Sequence, residues 1–74
     1  MNITTIYRYM WSGQDREILV VCTGTIVVCS DPSDGDSLGT YTLDGSTLTG
    51  AGSLSQIRRD AIGALLVAAS VPGP

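Results

Sequence analysis

The side chains that most often transfer protons near neutral pH are missing from this sequence. Its 74 residues contain neither histidine nor lysine, and all four basic residues are arginines. A serine or threonine needs an activating base before it can act as a nucleophile, and the remaining candidates are carboxylates clustered in one turn-rich loop. The sequence therefore predicts a protein that is not an enzyme and offers no catalytic residue.

Two cysteines and three loop aspartates are the candidates for redox chemistry or metal binding. Cys22 and Cys29 both lie inside apolar runs, where a thiol usually behaves as a small buried hydrophobe. Asp31, Asp34 and Asp36 could gather a hard cation, but their spacing differs from that of a helix-loop-helix calcium site and no glutamate closes the loop. We predict two buried thiols, a solvated acidic loop, and neither metal nor cofactor.

A small-anion site is the alternative that these residue types leave open. Gly50 and Gly52 precede a predicted helix, whose N-terminus would attract anions. The glycine pattern of nucleotide-binding loops and its lysine are absent. Arg58 and Arg59 lie in the second turn of the helix. The alternative function is therefore an oligomeric module that binds a small anion or nucleotide near residues 50–53 and these arginines.

Aromatic and basic side chains, with part of the helix, are the candidates for contact with a partner. Tyr7, Tyr9 and Trp11 share one face of the first predicted strand, where core and contact surface are equally good interpretations. Arg58 and Arg59 could pair with carboxylates of a neighbouring subunit. The predicted interface consists of Tyr7, Tyr9, Trp11, Arg58, Arg59, Ile62, Leu66 and Val67.

Strand-forming residues fill the first two thirds of the chain in short runs separated by turn residues. Residues 3–11 alternate between two faces and are rich in β-branched and aromatic side chains. Residues 18–22 and 26–28 are apolar at every position, whereas a strand with one wet face should alternate. We therefore expect both faces of this part of the sheet to be covered, one by a helix and the other by a second copy of the chain.

Two pairs of turn residues define the predicted hairpins. Residues 23–24 mark either a tight hairpin, which we favour, or one long strand bent at a glycine bulge. Residues 44–45, Asp-Gly, predict a type I′ hairpin over residues 40–49, with a threonine ladder on its outer face. The residues predicted to lie opposite one another are Cys22 with Thr25, Cys29 with Ile18, and Leu43 with Ser46. The two thiols are then too far apart for a disulfide.

One helix is predicted at the C-terminal end, over residues 54–70. Ser53 and Gln56 form a capping box at its start, and Pro72 ends it. Gly63 costs about 1 kcal/mol relative to alanine inside a helix, so it predicts a close approach to the sheet or to a partner helix. The last turns are apolar nearly all round, which indicates a buried end. The predicted apolar stripe consists of Leu54, Ile57, Ala61, Ala64, Leu65 and Ala68.

Composition and charge restrict the classes of partner. The chain is 43% hydrophobic and only 15% charged, with a net charge of −3. Four arginines at two separated places supply too little positive charge for nucleic acid or for an anionic membrane surface. The most apolar stretch, residues 61–71, is about half the ~20 residues of a membrane span. Residues 1–5 lack the features of a signal peptide, so we expect a soluble protein that is synthesised in the cytoplasm.

Together these patterns predict a single domain over residues 1–74 with an α+β fold. The expected architecture is a small antiparallel β-meander of four to five strands with one C-terminal helix packed on a face. A domain this small has a thin margin of stability, and its low charge suggests buried contacts with neighbours. We predict a non-enzymatic structural or interaction protein that forms a homo-oligomer or enters a larger protein assembly. Small virus-encoded accessory and particle proteins share this general build, so incorporation into a virion is part of the hypothesis.

Overall fold

Five antiparallel strands and one helix make up the fold, and the computed structural model describes residues 2–70. The elements are β1 (Asn2–Trp11), β2 (Gln14–Thr23), β3 (Ile26–Ser30), β4 (Ser37–Asp44), β5 (Thr47–Thr49) and α1 (Gln56–Ser70). The strands pair in the order β1-β2-β3-β4-β5, so every neighbour in the sheet is also a neighbour in sequence. The predicted α+β meander with one C-terminal helix is confirmed. Pro72, which was predicted to end the helix, lies outside the described residues.

Tight turns join three of the four strand pairs. Ser12 and Gly13, between β1 and β2, both have positive φ, at 51° and 75°, as a type I′ turn requires. In the turns at residues 24–25 and 45–46 only the leading glycine has positive φ, 63° in each, which is the pattern of a type II′ turn. The hairpin interpretation of the β2-β3 region is therefore correct, and the bent single strand is not.

The registers of two hairpins differ by two residues from the predicted ones. The observed pairs are Cys22 with Val27, Cys29 with Val20, and Leu43 with Leu48. The predicted partners were Thr25, Ile18 and Ser46. The difference arises because each glycine opens its turn instead of closing it. Since side chains alternate with a period of two, a shift of two residues leaves every side chain on its predicted face.

The core lies between α1 and the face of the sheet that α1 covers. Its residues are each at most 2% exposed: Ile18, Val20, Cys22, Val27, Cys29, Tyr41, Leu48, Ile62 and Leu66. On β2 and β3 these residues alternate with more exposed ones, as expected for strands with one covered face. Full burial of a leucine or isoleucine contributes about 1.5–3 kcal/mol, so Ile62 and Leu66 are the main apolar anchors of the helix.

The side of the helix that packs on the sheet differs from the predicted apolar stripe. Its buried residues are Ile62, Gly63 and Leu66. Ile57, from the predicted stripe, is 72% exposed, and Ala64 and Ala68 are exposed as well. The last turn is therefore not buried within the single chain. Because this helix is apolar on several sides, its periodicity does not determine which side is covered.

A close backbone approach at Gly63 determines the rotation of the helix. A Cβ atom at this position would lie 2.6 Å from the Cα atom of Thr47 and would also meet the backbone of Ser46. The predicted close approach is thus confirmed, and its partner is the turn between β4 and β5. A glycine in the helix centre is required because the turn occupies the space of a side chain.

The start of the helix lies two residues beyond the predicted one, and its cap is a different serine. The Oγ atom of Ser55 accepts a hydrogen bond of 3.4 Å from the N–H group of Arg58, the N-cap pattern. Ser53 instead donates to the carbonyl oxygen of Leu38, from its N–H group at 3.1 Å and from its Oγ atom at 3.2 Å. The predicted capping box therefore does not form.

Candidate functional site

The face of the sheet that points away from α1 is apolar at its centre. Ile6 on β1 lies opposite Leu19 on β2. Val21 on β2 lies opposite Val28 on β3, and Ile26 is two residues from Val28 on the same face. Ile26 and Val28 are 47% and 42% exposed, respectively. We call these five residues the open sheet face.

Polar side chains surround the open sheet face. Thr4 on β1 lies beside Val21, and Thr40 on β4 lies beside Val28. Because the two valines also pair with each other, the threonines flank them on both sides. At one end of the sheet Arg8 and Glu17 form an ion pair of 3.1 Å with exposed side chains. Such a pair contributes little to stability because water screens it. An apolar centre with a polar rim is the anatomy of a protein interface.

None of the residues of the open sheet face belongs to the predicted interface. The signal was nevertheless present in the unbroken apolar runs at residues 18–22 and 26–28. Because a strand points alternate side chains to opposite faces, half of each run has to face away from the helix. Identifying this face also requires knowing which residues of neighbouring strands lie opposite one another, and the sequence of one apolar run does not give that pairing.

The predicted aromatic residues lie on the opposite face of the sheet, the one that carries α1. Tyr7 and Tyr9 are half-buried, and their rings stack with centroids 5.7 Å apart. Trp11, at the end of β1, is 56% exposed. The guanidinium group of Arg58 lies 4.0 Å from the centroid of the Tyr9 ring, within range of a cation–π interaction. The structure therefore brings Arg58 together with the predicted aromatic residues.

The predicted interface residues on the rest of the helix divide between core and partly exposed positions. Ile62 and Leu66 are fully buried, so they belong to the core and not to a surface for a partner. Val67 and Arg59 are half-buried. The Nη2 atom of Arg59 donates to the Oε1 atom of Gln56 at 3.0 Å, whereas its buried Nε atom has no hydrogen-bond partner among the described residues. Contact of the exposed members of this set with a partner stays a prediction.

The two cysteines lie in the core as buried thiols, and no disulfide joins them. Burial raises the pKa of the Cys29 thiol to about 11, so this thiol is protonated and unreactive near neutral pH. The Sγ atom of Cys22 contacts the carbonyl oxygen of Gly24 at 3.5 Å. Both side chains fill the core as small hydrophobes.

The acidic loop between β3 and β4 is organised by its own hydrogen bonds. The Oδ1 atom of Asp31 accepts from the Ser33 N–H group at 2.9 Å and from its Oγ atom at 2.7 Å, and these bonds lower the pKa of Asp31. Asp34 accepts in the same way from the N–H group of Asp36 at 2.9 Å. Among residues 2–70 no group of three or more metal-binding side chains is close enough to hold an ion.

Residues 50–53, considered above for an anion site, precede the helix but do not lead directly into its first turn, which begins at Gln56. Gly52 forms an antiparallel bridge with Gly39 of β4, and Ser53 donates to Leu38. The segment therefore extends the edge of the sheet beyond β5. Gly52 also leaves room for Tyr41, because a Cβ atom at this glycine would lie 2.5 Å from the Cζ atom of the tyrosine.

The architecture and its surfaces define a small α+β meander with one sheet face covered by a helix and the other open. Comparison of the chain with family models, with curated proteins and with solved structures gives no match in any of the three. Within residues 2–70 no helix combines the length and the apolar character that a membrane crossing requires.

Proposed function

We propose that this chain is a non-enzymatic structural or interaction protein that self-associates through the open sheet face. The observation that supports this proposal is the exposed apolar centre of that face, where Ile26 and Val28 are 47% and 42% exposed. An antiparallel sheet with one solvated face normally alternates apolar and polar residues. Large contiguous apolar patches on soluble proteins usually mark a contact surface. Covering this face removes it from water.

A second copy of the chain is the partner that fits this surface. The five residues of the open sheet face are uncharged, so two copies related by a twofold axis bring apolar side chains together without burying an ion. Sheets stack face to face about 10 Å apart. Since α1 covers the other face of each sheet, the resulting dimer has four layers, with a helix on each outside.

The dimensions of the molecule are sufficient for such a contact. It measures 37 × 26 × 20 Å, and strands of ten residues at about 3.3 Å per residue account for the longest dimension. Five strands about 4.8 Å apart account for most of the second dimension. The broad side is therefore the sheet, and its area is comparable with the ~800 Å² that each partner buries in an interface of standard size.

Sedimentation equilibrium on the purified full chain tests this proposal. We expect a mass of at least twice the 7.7 kDa of a single chain. Val28→Asp should weaken association by a factor of about 100 or more, because it buries an unpaired carboxylate at the centre of the contact. The matched control is Ile57→Asp, which places the same charge at an apolar residue that is 72% exposed on the helix. It should leave the mass unchanged.

Three outcomes would overturn the proposal. The unaltered chain could sediment as a single copy, Val28→Asp could remain associated, or Ile57→Asp could dissociate the assembly and thereby assign the contact to the helix. Circular dichroism shows whether Val28→Asp still folds. If it does not, Val28→Thr keeps the branched shape while removing part of the apolar surface, and it should weaken association about tenfold.

The proposal keeps the predicted non-enzymatic role and names the surface through which the chain self-associates. A non-enzymatic function is part of it, since the basic side chains of the chain are arginines only and arginine does not exchange protons near neutral pH. Incorporation of the self-associated chain into a virion stays a prediction from its size and build.

A further inference from the structure

A small cavity lies on the helix side of the sheet, where the end of the β1-β2 hairpin meets the start of α1. Its volume is about 270 Å³. The side chains around it that bear on ligand binding are Tyr9, Trp11, Arg16, Ser53, Ser55 and Arg58. They come from β1, β2, the segment that leads into the helix and the first turn of α1, so the fold assembles this group from distant parts of the sequence.

Positive charge at this cavity is not neutralised by an ion pair. The one ion pair among residues 2–70 joins Arg8 to Glu17, so neither Arg16 nor Arg58 has a carboxylate of the described chain within 4.0 Å. No acidic residue lines the cavity. Arg16 and Arg58 both line this small space; the charge of Arg16 also acts on Asp31 outside it, but neither arginine forms an ion pair there, which favours an anionic ligand.

The start of α1 borders the cavity, and the N–H groups of its lining residues Leu54 and Arg58 already have partners within the chain. The Arg58 N–H group is bound to the Oγ atom of Ser55, and the Leu54 N–H group donates to the Tyr41 hydroxyl at 3.1 Å. The contribution of the helix to anion binding is therefore the positive end of its dipole.

The aromatic side chains give the cavity two different properties. The ring of Tyr9 holds the Arg58 guanidinium at 4.0 Å, so this charge is positioned before a ligand arrives. The ring of Trp11 is 56% exposed and is available for stacking. Planar heterocycles stack on such rings irrespective of their identity.

We propose that this cavity binds an organic phosphate the size of a mononucleotide. Arg16, Arg58 and the start of α1 would hold the phosphate monoester, and Trp11 would stack on the planar ring. The volume is just below the ~300–1,000 Å³ of typical ligand sites, which favours one phosphate and one ring over a dinucleotide. The cavity and the open sheet face lie on opposite faces of the sheet, so this inference does not depend on the proposed self-association.

The intrinsic fluorescence of the full chain provides the test, because Trp11 is its only tryptophan. Adenosine 5′-monophosphate should quench this fluorescence saturably. Inorganic phosphate and adenosine should each bind at least about tenfold more weakly, since each lacks one of the two contacts. Equal affinities for inorganic phosphate and the mononucleotide would contradict the stacking on Trp11 and overturn the proposal. Absence of a saturable response to the mononucleotide would also overturn it.

Arginine variants test which charges hold the phosphate. Arg16→Gln and Arg58→Gln should each weaken mononucleotide binding about tenfold or more, because a charge-assisted hydrogen bond is lost. The matched control is Arg8→Gln, which removes the same charge from the ion pair with Glu17 outside this cavity and should change the affinity less than about twofold. Equal losses in the three variants would show a non-specific charge effect and overturn the assignment.

Discussion

Among single residues, Tyr41 is the side chain that joins the sheet to the segment leading into the helix. Its ring is 2% exposed. Its hydroxyl donates to the Leu38 carbonyl oxygen at 2.8 Å and accepts from the Leu54 N–H group at 3.1 Å. The sequence predicted its place on the core face of β4, but both hydrogen bonds depend on how residues 50–54 return along the sheet. No local pattern contains that information.

Removal of this one hydroxyl should destabilise the fold. Tyr41→Phe leaves the half-buried Leu54 N–H group without its partner, whereas the Leu38 carbonyl oxygen keeps its two hydrogen bonds from Ser53, and we expect the free energy of unfolding to fall by about 1–3 kcal/mol. Urea denaturation measures the change. The control is Tyr7→Phe, because Tyr7 is half-buried and forms no hydrogen bond through its hydroxyl among the described residues. A loss as large in the control would contradict the role assigned to the Tyr41 hydroxyl.

At the scale of the elements, polar and backbone contacts with β5 hold the helix in one rotation. The Oδ1 atom of Asp60 accepts hydrogen bonds from the Thr47 hydroxyl and from the Nε2 atom of Gln56, and these bonds lower the pKa of Asp60. Their contribution to stability is present above the normal aspartate pKa and is lost as the pH falls through the lowered value. The backbone contact at Gly63 lies next to this link.

The fit at Gly63 reverses the usual effect of replacing glycine by alanine in a helix. On propensity alone Gly63→Ala should stabilise the helix by about 1 kcal/mol. Because the added methyl group would clash with backbone atoms of Ser46 and Thr47, we instead expect destabilisation of about 1–3 kcal/mol. Thermal and urea unfolding measure the sign.

Ala68→Gly serves as the reference for helix propensity in the same helix. Ala68 is exposed, so this variant should lose only about 1 kcal/mol. If Gly63→Ala proved more stable than the unaltered chain, the close packing of the helix on the β4-β5 turn would be contradicted.

The strands, the helix and their order could all be predicted from the sequence, because alternation, turn residues and a terminal apolar segment are local signals. The registers could not, since Asp44 and Gly45 are typical of a type I′ turn whereas Gly45 in fact opens the turn. The core faces were still correct because the error was two residues. The rotation of the helix failed for a different reason: an element that is apolar on several sides contains no preference for one of them.

At the scale of the whole molecule, the distribution of apolar surface is the property that supports the proposed function. The expectation of an apolar second sheet face followed from unbroken runs in β2 and β3, but the cavity with Arg16 and Trp11 did not follow from any pattern. Its side chains lie on β1, β2 and the start of α1, and only the fold brings them together. Arg58 was a predicted contact residue, whereas Arg16 was missed.

Association through the open sheet face should also appear in the stability of the fold. A partner that binds only the folded chain stabilises it by mass action. We therefore expect the Tm of the unaltered chain to rise with protein concentration, measured by calorimetry over about a hundredfold range. Val28→Asp should show a lower Tm that no longer depends on concentration. A Tm of the unaltered chain that stays constant over this range would contradict a folded state stabilised by association.

The purely sequential order of the strands has a consequence for how the chain reaches its native state. Each strand pairs with the one synthesised just before it, and three of the connections are two residues long, so little loop-closure entropy is lost at each step. Hairpins can therefore form one after another during synthesis, which places this sheet among the faster-folding β topologies. The helix emerges after the five strands and closes over apolar side chains that the strands have already aligned.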